Sequence, residues 1–229
     1  KLNIVYEDEH ILLVDKRPGL AVHPHDGAEY GRTLIDHIQA YLYQKKEWSP
    51  RGENSFTPAL CNRIDRNTCG LVLAAKNAET LRVMNEKIKE RTISKFYLCR
   101  VHGIPKQKEA TLMGYLKKDA DANKVEIFQT IPKNARYSDD YKKIITKYRV
   151  LATAGDEAIL EVELVTGRTH QIRAHMASIG HPLLGDGKYA ENSADRKSGI
   201  FRQALCSYKL RFEKDEPSIL DYLEGKTFM

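Results

Sequence analysis

At 229 residues with 41% hydrophobic content the chain can bury a sizeable core, and its longest apolar runs, "ILLV" and "LVLAA", fall far short of the ~20 residues a membrane-spanning helix needs. No n-region followed by an h-region opens the sequence, so a soluble, cytoplasmic protein is expected. The net charge of +6 and pI near 9.0 fit a polyanionic partner, because clustered Lys and Arg release counterions from phosphates. Four cysteines without C-x-x-C spacing, three of them in or beside strand-like segments, read as small hydrophobes rather than a zinc site.

In chain order, "LNIVYE" and "ILLVDK" read as two strands of a hairpin separated by "DEH" and closed by the turn Arg17-Pro18-Gly19. A helix follows, capped by Thr33 with Asp36 at the capping-box position and an apolar stripe of Leu34, Ile35, Ile38, Tyr41 and Leu42. Trp48–Pro58 is a loop by composition, Leu71–Lys76 a strand, and Asn77 to about Arg91 a helix with Leu81, Met84 and Ile88 on one side. Further strands are expected at "KFYLCRVHG", "TLMGYL", "KVEIFQ", "IITKYRVL" and the cleanly alternating "AILEVELV", with Pro132–Lys143 an exposed basic loop. A helix is expected from about Thr169 to Ile179, ending at an αL Gly180; the loop "GDGKY", the strand "ALCSYKLRFE" and a short helix near "ILDYLE" complete the chain. Helices scattered among many strands, with no linker, repeat or low-complexity tract, predict one α+β domain over residues 1–229 with a large mixed, mostly antiparallel sheet.

Three clusters could carry chemistry. In "CNRIDRNTCG", an extended backbone puts Arg63 and Asp65 on one face and turns Ile64 inward. Asp65 is either half of a surface ion pair or an ionised nucleophile or base held where an apolar strand begins. In "VTGRTHQIRAHMASIGHPLLGDGKY", the first helical turn is expected to hold Arg168, His170 and Arg173, with Ile172, Met176 and Ile179 inward. His170 and His175, five apart, stand about 140° apart on a helix, and no H-E-x-x-H is present, which argues against a metal site. Arg168 and Arg173 are solvated helix residues or an anion clamp. In "SKFYLCRVHG", Lys95, Tyr97 and Cys99 alternate with Phe96, Leu98 and Arg100, so Tyr97 is an ordinary strand tyrosine or an aromatic on which a base stacks. No P-loop, Rossmann glycine fingerprint or G-x-S-x-G elbow occurs.

Taken in order, these segments resemble the large-subunit-type (RluA-type) family of RNA pseudouridine synthases over nearly the whole chain. "NRIDRNTCGLVLAAKN" is similar to the family's H-R-L-D-x-x-T-S-G-L-L-L-x-A-K, "SKFYLCRVHG" to its K-x-Y-x-A-x-V-x-G strand, and "GRTHQIRAHMASIGHPLLGDGKY" to its G-R-x-H-Q-I-R-x-H segment. The opening "IVYEDEHILLVDKRPGLAVHP" also looks like the family's start. The resemblance implies a cofactor-free, metal-free isomerase, expected to be a monomer, that converts uridine in structured ribosomal or transfer RNA to pseudouridine. By that resemblance Asp65 attacks the flipped uridine, Arg168 pairs with Asp65, and Tyr97 stacks on the base and assists proton removal. Arg63 fills the vacated stack or contacts phosphate, and Asn62, Arg66, Thr68, Lys95, His170 and Arg173 contact RNA. Residue 1 is Lys rather than Met, which leaves room for a preceding RNA-binding module.

The sequence departs from the pattern where the family's His is Asn62, its T-S-G is Thr68-Cys69-Gly70, and its L-H-A is Leu205-Cys206-Ser207. Asn cannot titrate near neutral pH, which puts any acid or base role of position 62 in doubt. Asn62 and Cys69 support an alternative, a catalytically silent RNA-binding or RNA-folding protein on the same scaffold. A carboxylate-pair hydrolase would need a second acid, and Asp186 in "GDGKY" is the one the matching segments offer.

Overall fold

The structure is a computed structural model that describes residues 1–24, 31–52, 56–119, 122–133 and 135–229. The chain groups into two compact units of the α+β class, Lys1–Ser94 with Ser207–Met229, and Lys95–Cys206.

In the first unit, β1 (Ile4–Glu7) and β2 (Ile11–Lys16) form the expected antiparallel hairpin. The "DEH" turn closes because Asp8 Oδ1 accepts the backbone N–H groups of His10 and Ile11 at 2.7 and 2.8 Å. β2 pairs antiparallel with β4 (Cys69–Ala75), from Ile11↔Ala75 to Lys16↔Gly70. β10 (Leu205–Phe212) lies next to β4. Two strands absent from the sequence reading, β3 (Ala59–Leu60) and β11 (Thr227–Phe228), add to β4 and β10. Ile11–Val14 and Val72–Ala75 are buried on both sheet faces, which is why these strands read as unbroken apolar runs rather than alternating ones.

Helix α1 (Leu34–Gln44) starts where predicted, with Asp36 Oδ2 accepting the Thr33 N–H at 2.9 Å and its hydroxyl at 2.5 Å. Helix α2 (Ala78–Lys89) is capped by Asn77, whose side chain accepts from Thr80 N at 2.9 Å. It buries Thr80, Val83, Met84 and Lys87; of the expected face of Leu81, Met84 and Ile88, Met84 lies in the core, Ile88 packs partly buried against it and Leu81 is half-buried. Lys87 is held inward by an ion pair with Asp215, itself held by Thr92 Oγ1 at 2.5 Å. The core of this unit joins Ile11, Leu13, Leu71, Leu73, Met84, Phe212 and Leu220. Each such fully buried side chain contributes roughly 1.5–3 kcal/mol.

The second unit is an antiparallel sheet in the order β5-β9-β8-β6-β7. Its strands are β5 (Ile93–His102), β6 (Glu109–Asp119), β7 (Lys124–Phe128), β8 (Tyr141–Ala154) and β9 (Glu157–Leu164). β8 begins at Tyr141, so the last three residues of the expected loop are strand; residue 134 of that loop, like residues 53–55 of the Trp48–Pro58 loop, lies outside the described residues. One sheet face carries cross-strand ion pairs, Lys147–Glu163 at 3.3 Å and Arg149–Glu161 at 2.7 Å. The other packs Leu116, Val125 and Ile144 against Ala174 of α3 (Gln171–Ser178). The clean alternation of β9 is the signature of that two-sided placement. A short helix, α4 (Ser193–Lys197), was not anticipated. Among the described residues no helix is long and apolar enough to cross a membrane.

Helix α3 starts two residues later than its sequence suggests. His170 adopts the left-handed conformation (φ 54°), so the Arg168–Thr169 segment stays outside the helix. The helix ends as read, with Gly180 at φ +84°. Residues 171–176 are all buried, so the expectation of a helix apolar on one side is corrected, and of the two readings of Arg173 the solvated one does not hold: the polar side chains here are turned inward and satisfied.

Candidate catalytic site

The Asp65 segment belongs to the first unit. Ile64 is buried while Arg63 and Arg66 are exposed and Asp65 is half-buried, the alternation expected of an extended entry to β4. The segment then turns, with Thr68 N donating to Asp65 O at 3.1 Å. Thr68 itself is buried, whereas Asn67 and Cys69 beside it are half-buried. The loop is pinned from beneath by Lys16, which is 1% exposed. Its Nζ donates to Arg17 O (3.1 Å), Leu20 O (2.8 Å) and Arg66 O (2.9 Å), and Gly19 N also donates to Arg66 O at 2.8 Å. Three carbonyls match the three N–H bonds of an ammonium, which is how a charge is tolerated there. Sequence reasoning missed Lys16; its one visible signal is a lysine ending an otherwise apolar strand.

Asn62 turns its amide to the backbone of β4. Its Oδ1 accepts from Leu73 N at 2.7 Å and its Nδ2 donates to Leu71 O at 3.3 Å, so the side chain imitates a strand edge. An amide supplies a donor and an acceptor side by side, which a single imidazole nitrogen cannot. Gly70 has φ +107°, and a Cβ there would stand 2.1 Å from Ser207 O, so only glycine fits where β4 approaches Ser207. Cys61 lines the same region, its thiol pushed up to about 12 by burial.

The remaining expected residues lie in the second unit. Tyr97 on β5 is 5% exposed and pairs with Val162, which in turn pairs with Tyr148. This row shares the sheet face that carries Ile144 and Thr146 beneath α3. Lys95 falls on the same face as Tyr97, and a methyl group built at Gly167 would lie 3.6 Å from Lys95 Nζ. Burial lowers the pKa of this ammonium. The register therefore brings Lys95 to the Gly167–Arg168 turn, with Tyr97 one step along the same face, while Arg168 is exposed.

That turn is held by Gln171, 2% exposed, through four hydrogen bonds. Oε1 accepts from Arg168 N at 3.1 Å and Thr166 Oγ1 at 2.9 Å; Nε2 donates to Ile145 O at 3.1 Å and Thr146 Oγ1 at 3.0 Å. Thr146 Oγ1 also lies 2.9 Å from Nδ1 of the buried His175, whose pKa burial lowers to about 4. His170 Nδ1 meets Tyr189 Oη at 2.8 Å, and Tyr189 Oη accepts from Val125 N at 3.0 Å, which stabilises the unusual backbone at His170. Arg173 forms a buried bidentate pair with Asp186 at 2.7 and 2.8 Å and lies over the Tyr189 ring at 5.3 Å. This pair gives both residues structural work, and it accounts for the setting of Asp186 in the "GDGKY" loop. Thr146 carried no sequence signal, and Gln171 and Tyr189 stood only as letters of the matching segments, since the partners that give them their work, β8 and Val125, are distant along the chain.

A family model described as RNA pseudouridylate synthase matches residues 10–178, a span that includes Asp65, Tyr97 and Arg168. An uncharacterized RNA pseudouridine synthase of Aquifex aeolicus is 34% identical over 99% of this chain and 71% of its own length. Ribosomal large subunit pseudouridine synthase D of Nitrosomonas europaea is 33% identical over 91% of this chain and 57% of its own length, so the chain spans only part of such relatives. Among solved structures, human RNA pseudouridylate synthase domain containing 1 is similar with a TM-score of 0.70 and 25% identity, covering 94% of this chain and 80% of that one.

Proposed function

The chain belongs to the RNA pseudouridylate synthase family, and from that membership we propose that it isomerises specific uridines in structured RNA to pseudouridine, with Asp65 as nucleophile. The observation that carries the reading is the matched span 10–178, which takes in Asp65, Tyr97 and Arg168 together.

The Asp65 carboxylate adds at the ribose C1′ or at the uracil ring, and the N1–C1′ bond breaks. The uracil rotates, a C5–C1′ bond forms, the bond to Asp65 breaks to return the free carboxylate, the C5 proton leaves to solvent and N1 gains a proton. No atom is gained or lost and no electrons are exchanged overall, so the step needs no co-substrate and no oxidant or reductant. Arg168 supplies the positive charge that keeps the carboxylate ionised and aimed, since a desolvated carboxylate costs several kcal/mol without a charged partner. Tyr97 stacks on the flipped base. Arg63 and Arg66, exposed on either side of Asp65, and Lys95 contact the RNA, with Arg63 filling the vacated stack. The substrate is ribosomal RNA, as the name of the Nitrosomonas relative indicates for that protein, with transfer RNA as the other class to be tested.

The test uses [5-³H]uridine-labelled total RNA from cells lacking the protein. The wild-type chain releases tritium, and Asp65→Asn abolishes release while RNA retention on a filter is unchanged. Release by Asp65→Asn at the wild-type rate would remove Asp65 from the mechanism, and no release by the wild-type chain would favour the silent RNA-binding alternative. Fractionating the RNA before the assay separates ribosomal from transfer RNA targets.

A further inference from the structure

The exposed turn that presents Arg168 rests on one buried amide. Gln171 is 2% exposed, yet both lone-pair directions of Oε1 and both N–H bonds of Nε2 are used. Two of those bonds reach the turn, at Thr166 Oγ1 and Arg168 N, and two reach β8, at Ile145 O and Thr146 Oγ1. Ile145 N–H also donates to Thr166 Oγ1 at 2.9 Å, closing the link between strand and turn. From Arg168 N–H to Gln171 Oε1 and from Gln171 N–H to Thr146 Oγ1 the bonds run one way, and Thr146 Oγ1 in turn meets His175 Nδ1. Flipping the Gln171 amide would set its N–H groups against the Arg168 N–H and its oxygen against the Ile145 carbonyl, so the amide has one orientation. Neither Gln171 nor Thr146 offers an atom to solvent, so neither is a substrate contact.

We propose that Gln171, with Thr146 beneath it, is a positioning residue that acts through Arg168 by fixing the backbone from which that guanidinium reaches. The inference rests on the reading of Arg168 as the partner of Asp65. A guanidinium on a loosened turn still attracts RNA but no longer stands at one place, and small misplacements of a group acting on the transition state cost up to about 100-fold in rate.

The experiment is a double-mutant cycle in the full chain, using single-turnover tritium release from saturating [5-³H]uridine-labelled RNA and filter binding of the same RNA. Gln171→Met keeps volume and removes all four bonds; it lowers the rate roughly 100-fold with RNA affinity within about twofold. Gln171→Glu, which when protonated still accepts from Arg168 N–H and donates once, falls between Met and wild type. In an Arg168→Lys background, Gln171→Met produces no further loss, because the group it positions is already gone. Multiplying losses in the double variant would overturn the proposal in favour of a general structural role, as would a wild-type rate for Gln171→Met with Arg168→Lys impaired. Full activity of Arg168→Lys would instead remove Arg168 from the mechanism, a failure of the functional reading that is distinguishable from the other two. Circular dichroism at the assay temperature shows that each variant compared is folded.

Discussion

Two loops of this molecule, one carrying Asp65 and one carrying Arg168, are each anchored by a single buried side chain, but one anchor is a cation and the other a neutral amide. Lys16 can only donate, so it gathers the carbonyls of Arg17, Leu20 and Arg66 and ties the turn after β2 to the Asp65 segment. Gln171 both donates and accepts, so it can splice the Arg168 turn onto β8 with no charge to desolvate. A buried ammonium is tolerated only when every N–H is met, and its removal leaves several carbonyls unpaired at once. An amide is the gentler device, which suits a turn that must sit beside a half-buried lysine, Lys95, near Gly167.

The comparison can be broken by measuring stability. Lys16→Met is expected to lose at least about 3 kcal/mol in chemical denaturation, since three buried carbonyls are left unpaired at about 1–3 kcal/mol each. A loss no larger than that of Gln171→Met would show that charge is not what separates the two anchors. Asp186→Ala asks whether the same rule holds for the buried cation of the second unit; leaving Arg173 uncompensated is expected to cost about 3 kcal/mol, and a neutral result would contradict it. Gln171→Met itself should cost about 2 kcal/mol, the desolvation of the polar groups it leaves unpaired.

The network behind Gln171 also predicts a pH dependence. The unfolded chain takes up a proton on His175 near its ordinary value of 6.5, the folded chain only near 4, because burial disfavours the imidazolium. Stability from this residue is therefore complete above about pH 6.5 and falls as the pH drops toward 4, by about 2 kcal/mol between pH 7 and 5. His175→Gln, which can still accept from Thr146, should flatten that slope; an unchanged slope would assign it to other groups. The smallest effect concerns Asn62. Restoring His there should cost about 1 kcal/mol through lost pairing with β4, with tritium release retained if the position only supports the strand.

Much of the fold was legible from local pattern. The β1–β2 hairpin, the Thr33–Asp36 cap, the Asn77 start of α2 and the αL stop at Gly180 each depend on residues a few positions apart, so composition and spacing expose them. The short strands β3 and β11 were not legible, because two residues carry no periodicity and exist only through pairing with β4 and β10. The register of α3 was misread at its start because His170 takes a left-handed backbone held by Tyr189, nineteen positions away. Arg173 was read as a solvated helix residue or an anion clamp, with an RNA contact implied by the resemblance; the carboxylate it holds is Asp186 of its own chain, nothing in the local sequence naming that partner.

For the site, the motifs around Asp65, Tyr97 and Arg168 were visible as letters. What the side chains that hold those letters in place reach was not. Lys16 reaches Arg66 across 50 positions and Gln171 reaches Thr146 across 25, so no window of sequence contains both partners. The sequence by itself determined most of the elements and the α+β class, because hydrophobic period, capping and turn chemistry are local, and its ordered motifs carried the resemblance to the family. Only the tertiary structure decided which polar side chains are buried and what they hold, because a buried donor or acceptor must be satisfied wherever folding brings a partner.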